Sequence, residues 1–204
     1  MKKVFLIGDS IRHGIGGETG HKFGYGYYVK KKLECEMEVF DYDDNSRFLQ
    51  YTFRYLHDWA NELGIGADTD IVHWNNGLWD TLRFAGDEPF TSVEMYKEYL
   101  LRVYKRIKTL FPDAKVIFAL TTPVIEELGN KDFSWKNSDI EEYNNVAIKT
   151  LEPLGVIIND LYSAAKEIQR EHHLDCVHFN EEGSSILADK VVEILRDASV
   201  EERK

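Results

Sequence analysis

Cysteine is scarce: 204 residues hold only two, Cys35 and Cys176, neither with partners at metal-ligand spacing. Two are too few for a disulfide framework, and reduced thiols fit a cytoplasmic protein. Proline is also sparse, at four, and no low-complexity stretch marks a linker, so residues 1–204 read as one domain with a sizeable core. No apolar run approaches the ~20 residues needed to span a bilayer. The opening Met1-Lys2-Lys3 and its short apolar run stop at Gly8-Asp9-Ser10 without a small-residue cleavage site, which reads as the first strand of a mature protein rather than a signal peptide. Basic residues are outnumbered, 25 against 36 acidic, and the net charge of -11 disfavours nucleic acid and anionic membranes as partners. What remains is a small-molecule partner, with a homo-oligomer left open.

The informative stretch is Val4 to Ser10, VFLIGDS. An apolar run of strand length ending in Gly-Asp-Ser reads as a buried parallel strand that delivers its last side chains to an exposed turn. In an open α/β sheet, sites form at that carboxyl edge. Ser10 is therefore a candidate nucleophile, although such a turn is also an ordinary helix cap.

Strand and helix signals then alternate. The glycine-rich segment from Gly14 to Tyr28 lacks the Lys-Ser/Thr ending of a phosphate loop, so it reads as a wall beside Ser10 rather than a nucleotide site. A helix is predicted around Tyr27 to Glu34, a strand over Met37 to Tyr42 and a helix from Phe48 to Leu63, closed by Gly64 and Gly66. Asp70 to Asn75 is the third strand. Val93 to Phe111 is the clearest helix, stopped by Pro112. A strand over Lys115 to Leu120, a polar loop to Asn137, and a helix from Asp139 to Leu151 follow. Val156 to Ile158 is a fifth strand, and helices over Leu161 to Glu171 and Glu181 to Asp197, the latter capped by Asn180, complete the chain. Val200 to Lys204 reads as a frayed tail. Five strands separated by helices imply one parallel sheet covered on both faces, because right-handed crossovers place helices there.

Far from Ser10 lies Asp175-Cys176-Val177-His178, in the loop before the last helix. A serine hydroxyl is a weak nucleophile until an imidazole takes its proton, and the imidazole needs a carboxylate to fix its tautomer. A tight loop with Asp three residues before His can supply both. A loop histidine bonded to a capping aspartate gives the same spacing. His57, His73, His172 and His173 have no ligand spacing, so no metal and no cofactor is expected.

Gly8-Asp9-Ser10 near the start and Asp175 to His178 near the end, followed by Phe179-Asn180 and Gly183, resemble the first and last blocks of the SGNH (GDSL-type) hydrolases. The resemblance runs from residue 4 to about 195 and implies a flavodoxin-like three-layer fold and ester hydrolysis. It implies Ser10 as nucleophile, His178 as general base and Asp175 as its orienting partner. It also implies an oxyanion hole in which the Ser10 backbone N–H is joined by the N–H of Ser46, where the family usually has glycine. The family's Gly-x-Asn-Asp block aligns with Gly77-Leu78-Trp79-Asp80, with Trp79 in the asparagine position. Asn75, at the strand end, is assigned the amide donor, with Asn76 as its substitute; a plain turn is the competing reading.

Asp9, Trp79 and Trp135 are assigned to substrate contact, since aromatic faces stack on sugar rings. Small acyl esters, above all acetyl esters of carbohydrates, are the expected substrates. An acyl-thioesterase or lysophospholipase of the same fold is the enzymatic alternative, and a non-catalytic flavodoxin-like binding module the other. A receiver domain fits poorly, because Asn75 stands where its phosphorylated aspartate would be.

Overall fold

The computed structural model describes residues 1–14 and 23–200. Much of the glycine-rich wall and the final four residues lie outside them. Strands β1 (Lys2–Ile7), β2 (Met37–Asp41), β3 (Ile71–Asn75), β5 (Lys115–Ala119) and β7 (Ile157–Asn159) form one parallel sheet in the order β2-β1-β3-β5-β7. Two further strands of two residues each, β4 (Arg83–Phe84) and β6 (Phe133–Ser134), make a small antiparallel ladder apart from it. Their brevity gives no periodicity for sequence reading to detect.

Alternation along the strands divides the core in two. Val4, Leu6, Ile71, Ile117 and Ala119 face helices α2 (Tyr25–Lys32), α6 (Leu161–Lys166) and α7 (Glu181–Val200). Phe5, Ile7, Val72, Trp74, Val116 and Phe118 face α3 (Leu49–Leu63), α4 (Val93–Leu110) and α5 (Asn137–Leu151). Strands buried on both faces read as continuous apolar runs, which is why they were legible. The three-layer architecture expected for five alternating strands is present.

The boundaries shift by a few residues. Helix α2 begins at Tyr25, and α6 stops at Lys166 rather than Glu171, with a separate 3-10 turn at Arg170–His172. Ile168 between them is buried, which bends the chain inward before the loop that carries Asp175 and His178. Asn180 caps α7 as expected: its side chain accepts the N–H of Gly183 at 3.0 Å.

Candidate active site

The strand order reverses between β1 and β3, and the crevice this opens at their carboxyl ends is where ligands bind in such sheets. Asp9 caps the one-turn helix α1 (Ser10–His13), accepting the Ile11 N–H at 3.0 Å. Ser10 is thus the first helical residue, and its own N–H is one of those left without an intrahelical partner. Gly14 ends the turn at φ 90°, donating its N–H to the Ser10 carbonyl at 2.7 Å.

The distant loop is held by its own aspartate. Asp175 Oδ1 accepts the backbone N–H groups of Val177 and His178 at 2.8 and 2.7 Å, while Oδ2 lies 2.7 Å from His178 Nδ1. Leu174 N–H closes the loop onto the His178 carbonyl at 2.9 Å, and Ile125 N–H ties it to the segment after β5 through the Cys176 carbonyl at 2.9 Å. His178 Nε2 then meets Ser10 Oγ at 2.8 Å. A carboxylate at Nδ1 places the ring proton there, so Nε2 is left to accept from the serine hydroxyl. Burial pushes the Asp175 carboxyl up, but the bonds from the His178 side chain and backbone outweigh it and hold the group at about 2. Ser10, His178 and Asp175 are brought together as the spacing suggested.

The oxyanion assignments fare unevenly. Ser46 N–H is committed to the Gly8 carbonyl at 3.0 Å, so in this arrangement it is not free to receive an oxyanion. The asparagines separate clearly. Asn76 Oδ1 accepts from Thr52 Oγ1 at 2.9 Å and Trp74 Nε1 at 2.6 Å, and its amide donates to the Arg47 carbonyl at 2.7 Å and reaches Ser46 Oγ at 3.5 Å. Its carbonyl accepts from Thr121 Oγ1 at 3.2 Å and Tyr96 Oη at 3.3 Å. Every polar group of Asn76 but its N–H is thereby occupied, making it a clamp on the loop after β2. Gly77 follows at φ 142°, and a Cβ there would lie 2.1 Å from Thr121 Oγ1, which fixes glycine at the turn.

Asn75 retains capacity. It donates one bond, to the Ala119 carbonyl at 3.2 Å, and its Oδ1 is buried without a partner. The pairing of Ile7 with Trp74 sets it beside Gly8, at the foot of the nucleophile turn.

Asp9 is a correction. It is buried beneath the turn as its cap, not exposed to substrate, and burial raises its carboxyl to about 6 against the Ile11 N–H and the charges of His178 and Arg12. Trp79 and Trp135 are half-buried. Trp135 donates its indole N–H to the Leu78 carbonyl at 2.7 Å, which draws the loop after β5 over the one after β3. Beside it, Phe133, Phe84, Phe90 and Phe48 make a chain of ring contacts, centroids 5.6, 5.9 and 5.0 Å apart. Phe84, Phe90 and Phe133 are all largely exposed.

Two residues were missed. Arg12, two positions past Ser10, is buried and bonded to both the nucleophile turn and the loop after β2; the acidic run Asp41, Asp43 and Asp44 was its sequence signal. Asp80 is also buried, accepting the first N–H of α3, that of Leu49, at 3.4 Å. Burial raises its carboxyl to about 7 despite the bond from Leu49. Cys35 and Cys176 are free thiols. Among the described residues no group of three or more His, Cys, Asp or Glu side chains could hold a metal ion, and no helix is long and apolar enough to cross a membrane.

Known proteins share this architecture. The lipase/acylhydrolase from Enterococcus faecalis superposes with a TM-score of 0.77 at 19% identity, over 100% of both chains. A carbohydrate acetylesterase family member from Sinorhizobium meliloti gives 0.75 at 15% identity, covering 97% of this chain and 99% of that one. The acetyl xylan esterase AlAXEase gives 0.70 at 18%, covering 95% and 99%. At these identities the likeness is one of fold. The PC-esterase domain-containing protein 1A of Mus musculus is 27% identical over 154 residues, which span 71% of this chain and 33% of that protein. This chain thus matches about a third of the length of that curated relative. The family model of the GDSL-like lipase/acylhydrolases matches residues 6–186, which takes in the end of β1 with its Gly-Asp-Ser turn and the Asp175–His178 loop, and the chain belongs to that family.

Proposed function

We propose that this chain is a serine ester hydrolase acting by a Ser10–His178–Asp175 triad on short acyl esters, with acetylated carbohydrates as the substrate class. The observation that carries the reading is the continuous contact from Asp175 Oδ2 through His178 to Ser10 Oγ, at 2.7 and 2.8 Å. His178 takes the Ser10 proton as the oxygen attacks the ester carbonyl. The tetrahedral oxyanion rests on the Ser10 N–H and the free hydrogen of the Asn75 amide; Ser46 N–H joins them only where its bond to Gly8 opens. His178 then protonates the leaving alcohol, and a water repeats the sequence to release the acid. An oxyanion donor typically contributes about 3 kcal/mol to the transition state.

Two features favour a short acyl group on a sugar. The void against Ser10 and His178, bounded by Ile11, Phe23 and Phe179, measures about 10 Å³, room for a water, and we assign no more than a short acyl group to it. The half-buried Trp135 and the exposed Phe84, Phe90 and Phe133 belong to the segments that follow β3 and β5 at the carboxyl edge of the sheet, and to these aromatic faces we assign the leaving sugar. Two structural relatives are named as an acetyl xylan esterase and a carbohydrate acetylesterase family member, in keeping with this choice.

The test is labelling with a serine-directed fluorophosphonate, followed by acetate release from acetylated sugars measured against short acyl thioesters and p-nitrophenyl acetate. Labelling that disappears in Ser10→Ala supports the triad. No labelling of folded protein would leave a binding module, and a preference for thioesters would move the activity to a thioesterase.

A further inference from the structure

The Arg12 guanidinium lies at the junction of two segments, the turn that presents Ser10 and the stretch from β2 to Ser46. It is 1% exposed. Its Nε and one terminal nitrogen donate to the Gly8 carbonyl at 3.3 and 3.1 Å, within the turn that presents Ser10. Its other contacts all lie on the segment leading from β2 to Ser46: the Asp41 carboxylate, the Tyr42 carbonyl at 2.7 Å and the Asp44 carbonyl. Gly8 O also accepts the Ser46 N–H, so one carbonyl oxygen is where the guanidinium and the Ser46 loop both attach to the nucleophile turn.

A buried ion pair is a weak source of net stability, since well-packed apolar groups of similar volume often do as well. What a guanidinium supplies and an apolar side chain cannot is a rigid planar fork of N–H donors that fixes several acceptors at set angles. Here those acceptors belong to two separate segments of backbone.

We propose that Arg12 is a positioning residue for acyl transfer. It locks the Ser10 turn to the β2–Ser46 loop through the Gly8, Tyr42 and Asp44 carbonyls, and so sets the alignment of Ser10 Oγ and N–H with the rest of the oxyanion hole. Because Gly8 O keeps its Arg12 donors when the Ser46 N–H leaves it, Arg12 also allows that amide to turn toward an oxyanion without stranding a buried carbonyl. The inference rests on Ser10 being the nucleophile.

The alignment matters in the transition state more than in binding, so Arg12→Lys, which keeps the charge and loses the fork, should lower kcat about 10- to 100-fold with KM within about threefold, as expected for displacement of a reacting group by up to an ångström. Fluorophosphonate labelling of Ser10 should slow in parallel. In Arg12→Ala, methylguanidinium should restore part of kcat, whereas methylammonium at the same ionic strength should not. If Arg12→Ala fails to fold, Asp41→Ala, which removes one anchor and leaves Arg12 in place, should lose kcat in the same direction.

Wild-type kcat in folded Arg12→Lys, equal rescue by both cations, or unchanged kcat in Asp41→Ala would each overturn the proposal. Wild-type protein that fails to label would instead overturn the nucleophile assignment on which it stands.

Discussion

Asp175 holds His178 at two points and its neighbour at a third: Oδ1 receives the histidine's own backbone N–H and that of Val177, and Oδ2 receives its ring Nδ1. One carboxylate therefore sets both where the imidazole sits and which tautomer it adopts. Asp175→Asn can still accept the backbone bonds at Oδ1, but its NH2 faces Nδ1 and forces the proton to Nε2, away from its role as acceptor. The expected outcome is a folded protein with kcat lowered by roughly ten-thousand-fold, the scale on which a wrong tautomer acts in serine triads. Thermal unfolding and kcat measured together check this; a loss below about tenfold would remove Asp175 from the triad.

The two adjacent asparagines should separate by assay. Asn75→Ala removes an amide with an unused hydrogen and should lower kcat about a hundredfold, equivalent to about 3 kcal/mol, with little change in KM. Asn76→Ala breaks a set of buried bonds and should appear mainly as lost stability, about 2 kcal/mol or more. Denaturant titrations alongside kinetics decide it, and the reverse pattern would transfer the oxyanion role to Asn76.

Stability should depend on pH through two buried carboxylates. Asp9 and Asp80 are raised to about 6 and about 7, chiefly by burial, with the Asp9 charge adding to the shift of Asp80. A group whose folded value lies above its unfolded one binds more protons when folded, so its contribution is full below about pH 4 and is lost as pH rises through 6 to 7. Asp175 works the other way: depressed to about 2, it stabilises above about pH 4 and loses that contribution as pH falls below it. Asp80→Asn should flatten the decline between pH 5 and about 8. Denaturation midpoints across that range test this, and an unchanged slope would show that Asp80 does not titrate there.

Trp135 should serve sugar esters selectively. Trp135→Ala is expected to raise KM for acetylated oligosaccharides about three- to tenfold, the worth of one aromatic contact, and to leave p-nitrophenyl acetate nearly unaffected. Trp135→Phe keeps a ring face but not the bond to Leu78, so it separates stacking from loop anchoring. Equal effects on both substrates would assign Trp135 to structure alone.

The apolar runs of β1, β3 and β5 were legible because both faces of each strand are buried, and α4 was legible over all but one residue because Tyr96, Leu100, Val103 and Ile107 recur on a single buried face. The β4–β6 ladder and the early end of α6 were not, since two-residue strands and a bend around Ile168 depend on distant packing.

The sequence by itself determined the layered sheet, through apolar periodicity, and the chemical types at the site, through Gly8-Asp9-Ser10 and the Asp175-to-His178 spacing. Tertiary structure alone decided that Ser46 N–H bonds Gly8, that Asn76 is saturated while Asn75 is not, and that Arg12 joins two loops. Side-chain periodicity is a local property that a sequence carries openly. The partner of a backbone amide or a buried guanidinium is set by segments tens of residues away, and it exists only once the chain has closed on itself.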